Sequence, residues 1–152
     1  PHETVKFSRH TNAVDEGYLY VLIPEKKMTI VIVDDHLNMR RLLHEWLKEE
    51  LPECSFVEMR TAREALVYCS REAPLAVIMD IEMPGMNGID ATTRLKAMLP
   101  DVKVVILTVH ENVVYKEAAM KAGANAFITK SRLYDDLVPA LSDIVECREG
   151  AS

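Results

Sequence analysis

From Met28 onward the pattern of hydrophobic and polar positions changes period repeatedly. Thr29–Val33 (TIVIV) is a continuous β-branched run, as expected of a strand buried on both faces. Met39, Leu42, Leu43, Trp46 and Leu47 then fall at helical spacing, and Pro52 ends that helix. Cys54–Met59 is a weaker strand. Thr61 caps a helix with Glu64 three residues on, and Ala62, Ala65, Leu66 and Cys69 form its apolar stripe. Leu75–Met79 (LAVIM) is a second fully apolar strand. A Pro84–Gly85 turn leads into a helix that reaches about Leu99 and is closed by Pro100. Val102–Leu107 (VKVVIL) is the next strand, followed by a helix from about Asn112 to Lys121. Gly123 stands at the C′ position that stops that helix. Ala126–Thr129 is a last short strand, and Leu133, Leu137, Ala140, Leu141 and Ile144 mark one face of a final helix.

A strand is thus followed by a helix five times in succession. Apolar strands separated by helices predict an α/β fold, a doubly wound five-stranded parallel sheet with helices on both faces. In such a sheet, functional groups gather in the crevice beyond the carboxyl ends of the strands. Residues 1–27 stand outside the pattern. Gly17–Pro24 (GYLYVLIP) could form a strand, whereas the remainder is polar and irregular. These residues read as an N-terminal extension or a vector-derived leader before a start at Met28, with an added edge strand or a dimer contact as the alternative.

Composition narrows the class. With 152 residues, 49% apolar and 28% charged, the chain reads as one soluble domain with a sizeable core. No apolar run approaches the roughly eighteen residues of a membrane helix, and no signal-peptide pattern opens the chain, so a cytoplasmic location without membrane contact is expected. Cys54, Cys69 and Cys147 are far apart and form no CxxC pair, which points to neither a disulfide framework nor a zinc site. The formal charge is −6. In residues 1–27, Lys6, Arg9, Lys26 and Lys27 balance Glu3, Asp15, Glu16 and Glu25, so the acidic excess lies wholly in residues 28–152. An acidic domain with no helix-turn-helix segment left over is not expected to bind DNA by itself.

The chemistry-bearing residues sit where the topology puts a site. Asp34 and Asp35 follow the first parallel strand, Asp80 ends the third, Thr108 ends the fourth and Lys130 follows the fifth. Any one aspartate at a strand end is ordinarily a turn or helix cap; the joint arrangement is what singles these out. Carboxylates converging in one crevice repel one another. A hard divalent cation removes the difficulty, and Mg²⁺ suits a few carboxylates, one carbonyl and several waters. His36, His44 and His110 form no consistent cluster and read as helix-start, surface-helix and loop-tip residues. Met79, Met83 and Met86 read as packing around Asp80. No GxSxG, GxGxxG or P-loop occurs.

The segments IVIVDDH (30–36), VIMDIEMPGMNGID (77–90), VVILTVHE (104–111) and AGANAFITKS (122–131) resemble the receiver domain of bacterial two-component response regulators. The resemblance spans residues 29 to about 147 and carries the specific signature DD…DxxMPxxxG…T…K. It implies a flavodoxin-like, CheY-like receiver over 28–147, with 148–152 (from CREGAS) a tail or the start of a linker to an output domain. The DDH start, the VVILT strand and the KS ending most resemble receivers of LuxR/NarL-type regulators. By the resemblance, Asp80 is the phosphoacceptor. Asp35, Asp80 and the backbone carbonyl of Glu82 bind Mg²⁺ directly, and Asp34 acts mainly through a bound water. Lys130 pairs with the acceptor and then with the phosphoryl group, Thr108 bonds a phosphoryl oxygen, and Phe127 is the aromatic switch. The implied partners are a sensor histidine kinase or phosphotransfer protein, with room for a homodimer, and the implied output is transcription regulation by the full-length protein. The chemistry is consistent: a carboxylate is a competent nucleophile, and phosphoryl transfer needs chiefly positioning and charge neutralisation.

Three departures from the family pattern stand out. Ser131 follows the lysine where many receivers have proline, Phe127 lacks the hydroxyl of a tyrosine, and Glu82 and His110 occupy positions that tune hydrolysis in the family. Two other functions compete. A small aspartate-nucleophile phosphatase of the haloacid-dehalogenase kind wants a DxD motif after its first strand, whereas Asp80 lies after the third in D-I-E. A degenerate receiver acting only as an interaction module is opposed by the complete set Asp34, Asp35, Asp80, Thr108 and Lys130.

Overall fold

The computed structural model describes residues 7–14 and 17–24 as backbone, and residues 27–151 in full. The first two strands, β1 (Phe7–Val14) and β2 (Gly17–Pro24), form an antiparallel hairpin with Phe7 opposite Pro24 and Val14 opposite Gly17. Gly17–Pro24 is therefore a strand, but its partner is β1 and the two make a sheet of their own. The β1 segment FSRHTNAV has no apolar alternation and gave no strand signal.

The remaining elements alternate: β3 (Met28–Val33), α1 (Leu37–Glu50), β4 (Cys54–Met59), α2 (Ala62–Arg71), β5 (Ala76–Met79), α3 (Gly88–Met98), β6 (Lys103–Thr108), α4 (Val113–Lys121), β7 (Ala126–Thr129) and α5 (Leu133–Glu149). A single 3₁₀ turn, Lys130–Arg132, joins β7 to α5. The five strands β4-β3-β5-β6-β7 pair in that order, all parallel. This is the flavodoxin-like order, and β3 and β5 are the neighbours at which the winding reverses.

Each central strand feeds two cores because successive side chains point to opposite faces. Ile30, Ile32, Ile78, Val105 and Leu107 pack with Leu43 and Leu47 of α1 and with Leu137 and Leu141 of α5. Val31, Val33, Val77, Met79 and Ile106 pack with α2, α3 and α4 through Ala65, Leu95 and Ala119. Full burial of one such aliphatic side chain stabilises by roughly 1.5–3 kcal/mol, which is why the runs are unbroken. Leu42, expected on the buried stripe of α1, is 40% exposed and lies one turn from Trp46, whose ring meets Tyr134 edge-on at 5.0 Å.

Helix ends obey local chemistry. The Thr61 hydroxyl accepts from the Glu64 N–H at 3.1 Å, and the Glu64 carboxylate reaches back to the Arg60 N–H at 3.0 Å. Gly123, at φ 105°, closes α4: its N–H donates to Met120 O and that of Ala124 to Ala119 O, the two bonds of a Schellman motif. Burial pushes the Cys54 and Cys69 thiols up to about 11, so neither is a nucleophile at neutral pH.

Candidate functional site

The carboxyl ends of β3 and β5 bring three aspartates together. Asp34 is 2% exposed and Asp80 is 5% exposed, while Asp35 is half-buried. Ligand-capable atoms of Asp34, Asp35, His36 and Asp80 all lie within 4.8 Å of one another. Lys130, delivered by the turn after β7, reaches into this group: its Nζ donates to Asp34 Oδ2 at 2.8 Å and to Asp80 Oδ2 at 3.2 Å. The other Asp80 oxygen accepts from the Ile81 N–H at 2.8 Å. The other Asp34 oxygen accepts from the His36 N–H at 2.9 Å.

These carboxylates open on a cleft of about 550 Å³, lined by Asp35, His36, Asp80, Glu82, Lys130 and an apolar rim that includes Met83 and Val109. Gly88 makes the floor possible. Its N–H donates to Ile81 O at 2.9 Å, and a Cβ there would overlap the main-chain carbonyl of Asp80.

The electrostatics follow from burial. Burial pushes the Asp80 carboxyl above its ordinary value and the charge of Asp34 adds to this, against the opposing pull of Lys130 and the Ile81 N–H. For Lys130, burial works against the charged form, but the hydrogen bond to Asp34 and the charges of Asp34 and Asp80 outweigh it, and its pKa ends above the ordinary lysine value.

A divalent cation fits this donor set. Asp35 Oδ1 is shielded from solvent and has no hydrogen-bond partner. His36 Nδ1 lies 3.2 Å from it without hydrogen-bond alignment. A shielded carboxylate oxygen left without a donor, beside two further carboxylates, is the environment that a hard cation satisfies.

Thr108 is fully buried at the end of β6, and its hydroxyl accepts from the His110 N–H at 3.3 Å; it is not among the residues lining the cleft. Phe127 is half-buried on β7, opposite Ile106 and two residues from Thr129, the register partner of Thr108. Both stand beside the acidic pocket rather than in it.

A family model, the response regulator receiver domain, matches residues 30–142. The chain belongs to this receiver family. Transcriptional regulatory protein DegU of Brevibacillus brevis is 33% identical over 125 residues, covering 82% of this receiver chain and 52% of DegU. A LuxR-family two-component response regulator from Aurantimonas sp. SI85-9A1 superposes with a TM-score of 0.73 at 30% identity, over 80% of this chain and 86% of that one. Response regulator protein TrrA from Thermotoga maritima, solved in complex with Mg(2+)-BeF, superposes with a TM-score of 0.70 at 29% identity, over 77% of this chain and 98% of TrrA. The receiver spans about half the length of the curated relatives it matches.

Three contacts in this receiver are not legible in the sequence, although the residues that make two of them stand at positions the family pattern marks. His36 joins the acidic cluster, its Nδ1 3.1 Å from Asp34 Oδ1, although it read as a helix start; it is indeed the N-cap of α1, without a side-chain cap bond. His110 Nε2 lies 2.7 Å from Glu82 Oε1, and its ring stacks on Tyr115 at 4.4 Å, so two loops of the receiver touch across the cleft. Ser131, standing where proline was the family expectation, donates to Glu111 Oε1 at 2.8 Å and ties the turn after β7 to the β6–α4 loop. A serine three elements away from a glutamate carries no such signal in one sequence.

Proposed function

We propose that this receiver accepts a phosphoryl group on Asp80 and relays its presence through Thr108 and Phe127. The observation that carries the reading is Asp80 itself: a nearly buried carboxylate at the rim of a cleft, with Asp35 on one side and the Lys130 ammonium 3.2 Å away on the other. A carboxylate oxygen of Asp80 attacks the phosphorus of a phospho-histidine on a sensor kinase or phosphotransfer protein. The P–N bond breaks, the imidazole leaves with its electron pair, and an acyl phosphate remains. An ionised Asp80 needs no general base. Lys130 neutralises charge developing on the phosphoryl oxygens, and the Thr108 hydroxyl donates to one of them.

Asp35, Asp80 and the Glu82 carbonyl would hold Mg²⁺, with Asp34 acting through water. When bound, the ion supplies charge neutralisation and alignment of the phosphoryl oxygens. Thr108 moves toward the phosphoryl group, space opens behind β6, and Phe127 turns into it. The chain acts as a switch and catalyses only its own phosphorylation and dephosphorylation. Residues 28–147 form the receiver, 148–152 are a tail or the start of a linker, and the output of the full-length regulator is transcription control from the cytoplasm. The likeness to DegU supports that output, and among the described residues no helix is long and apolar enough to cross a membrane.

Beryllofluoride with Mg²⁺ tests the reading without a kinase. Saturable binding that shifts amides around 80, 108 and 127, and that Asp80→Asn abolishes, is the expected result. Steady turnover of a soluble phosphomonoester by the purified chain would favour the phosphatase alternative instead.

A further inference from the structure

Arg40 lies in the first turn of α1, yet its side chain is only 11% exposed and points back toward the pocket. Its guanidinium donates to the main-chain carbonyl of Asp34 at 2.7 Å. On its other edge, Nε lies 3.6 Å from Glu58 Oε1 on β4. Glu58 is held in turn, with Oε2 2.9 Å from His44 Nδ1, one helical turn beyond Arg40. The Asp34 N–H is fixed as well, donating to Met59 O at 3.2 Å.

The Asp34 residue is thus tied at both of its peptide groups, its N–H by β4 and its C=O by Arg40. The next residue is Asp35, whose Oδ1 accepts no hydrogen bond and has only His36 Nδ1 beside it, at 3.2 Å without hydrogen-bond alignment. The position from which that carboxylate reaches the pocket is set by its main chain, and the last fixed point before it is the Asp34 carbonyl. We infer that Arg40 is a positioning residue for the cation site: it locks the Asp34–Asp35 peptide so that the Asp35 carboxylate faces Asp80, with Glu58 and His44 bracing the guanidinium. Partners that orient metal-binding groups from behind affect metal affinity nearly as strongly as the ligands do. Arginine suits the task because its planar fork can serve a carbonyl and a carboxylate together, which an ammonium cannot do in the same geometry.

This inference rests on the reading of the pocket as a Mg²⁺ site. The test is Mg²⁺ affinity, followed by calorimetry and by amide shifts at 33–36 and 80–82. The variants are Arg40→Met, which keeps the stem and removes the donors, Arg40→Lys, Glu58→Gln and Asp35→Ala. Melting of each variant in chelator reads stability separately. Arg40→Met is expected to raise the Mg²⁺ Kd about tenfold, the lower end of such effects. Arg40→Lys should recover part of the loss, and Glu58→Gln should show a smaller loss in the same direction. If Arg40→Met does not fold, Arg40→Lys and Glu58→Gln carry the test by the same two changes in Kd. A folded Arg40→Met with the parent Kd but a lower melting temperature would overturn the inference and leave a purely structural arginine, while Asp35→Ala still lost Mg²⁺. Absence of Mg²⁺ binding in the parent itself would overturn the pocket reading, and this inference with it.

Discussion

Lys130 sits closer to Asp34 than to Asp80: its Nζ is 2.8 Å from the one carboxylate and 3.2 Å from the other. Asp34 is therefore more than a remote acid in this pocket, because it anchors the ammonium group that faces Asp80. The two aspartates of the pair are expected to fail differently. Asp34→Ala should destabilise the fold by somewhat less than the roughly 3–5 kcal/mol that orphaning a buried charge costs, since Asp80 still faces Lys130. Asp35→Ala should change stability little and weaken Mg²⁺ binding more. Denaturation in chelator, alongside a Mg²⁺ titration, separates the two; equal and negligible effects of both on Mg²⁺ would remove the cation site.

Asp80 and Lys130 should both make stability fall as pH rises, in separate pH windows. Burial and Asp34 raise the Asp80 pKa in the folded protein, so the folded state binds that proton more tightly than the unfolded chain does. The sign is unfavourable to the fold: stability falls as pH rises from about 3.9 through the raised value. Asp80→Asn should accordingly melt higher than the parent at neutral pH in chelator, by roughly 2–4 °C for each kcal/mol gained, with the gain vanishing in acid. Lys130 contributes a dependence of the same sign in an alkaline window. Its pKa is also raised, so its stabilisation is whole below about 10.4 and is lost as pH climbs past that. Melting curves against pH check both, and an Asp80→Asn protein less stable than the parent at neutral pH would contradict the charge argument.

Two glycines soon after Asp80, Gly85 in the loop and Gly88 at the start of α3, should respond differently to alanine. At Gly88 the new methyl would overlap the Asp80 carbonyl and come within 2.9 Å of Met79 Cγ. The main chain must shift, at about 1–3 kcal/mol, and Asp80 shifts with it. Phosphorylation by acetyl phosphate should slow. Gly85 has open space around it but a φ of 86°, so alanine there costs about 1–2 kcal/mol of backbone strain with the rate nearly unchanged. Equal rates for both variants would mean that Gly88 does not set the position of Asp80.

Much of this was written locally in the chain. Short β-branched or apolar runs such as TIVIV and LAVIM, alternating with helices, favour strands buried on both faces, and parallel topology then places a polar residue after each run in one crevice. Thr61, Gly123 and the acidic trio were legible for that reason. The contacts between loops were not. His110 with Glu82, Ser131 with Glu111 and Arg40 with the Asp34 carbonyl join residues whose types are ordinary on any surface. Their meeting depends on loop paths that neither period nor spacing encodes. The β1 strand carries no signal in the sequence because an antiparallel hairpin can form through backbone bonds with no alternation in one arm.

Communication beyond the pocket should run through Thr108. Its hydroxyl now accepts from the His110 N–H at 3.3 Å, and a phosphoryl oxygen on Asp80 would compete for it. A ligand shifts a two-state equilibrium only through an interaction that differs between the states, and the new Thr108 bond is that difference. Thr108→Ala should still take phosphate yet lose most of the response, and Phe127→Ala should weaken it. Hydrogen exchange across 108–130, with and without beryllofluoride, reads this directly. A full response in Thr108→Ala would assign the relay to other residues.

The central claim is that Asp80 is the acceptor. The most direct measurement is the mass of the intact chain after incubation with acetyl phosphate and Mg²⁺, with the modified residue mapped by trapping the acyl phosphate. The account predicts one phosphate per chain, labile in base, located at Asp80, blocked by chelator and absent from Asp80→Asn. Phosphate that persists unchanged in Asp80→Asn, or that maps to another residue in the parent, would contradict it.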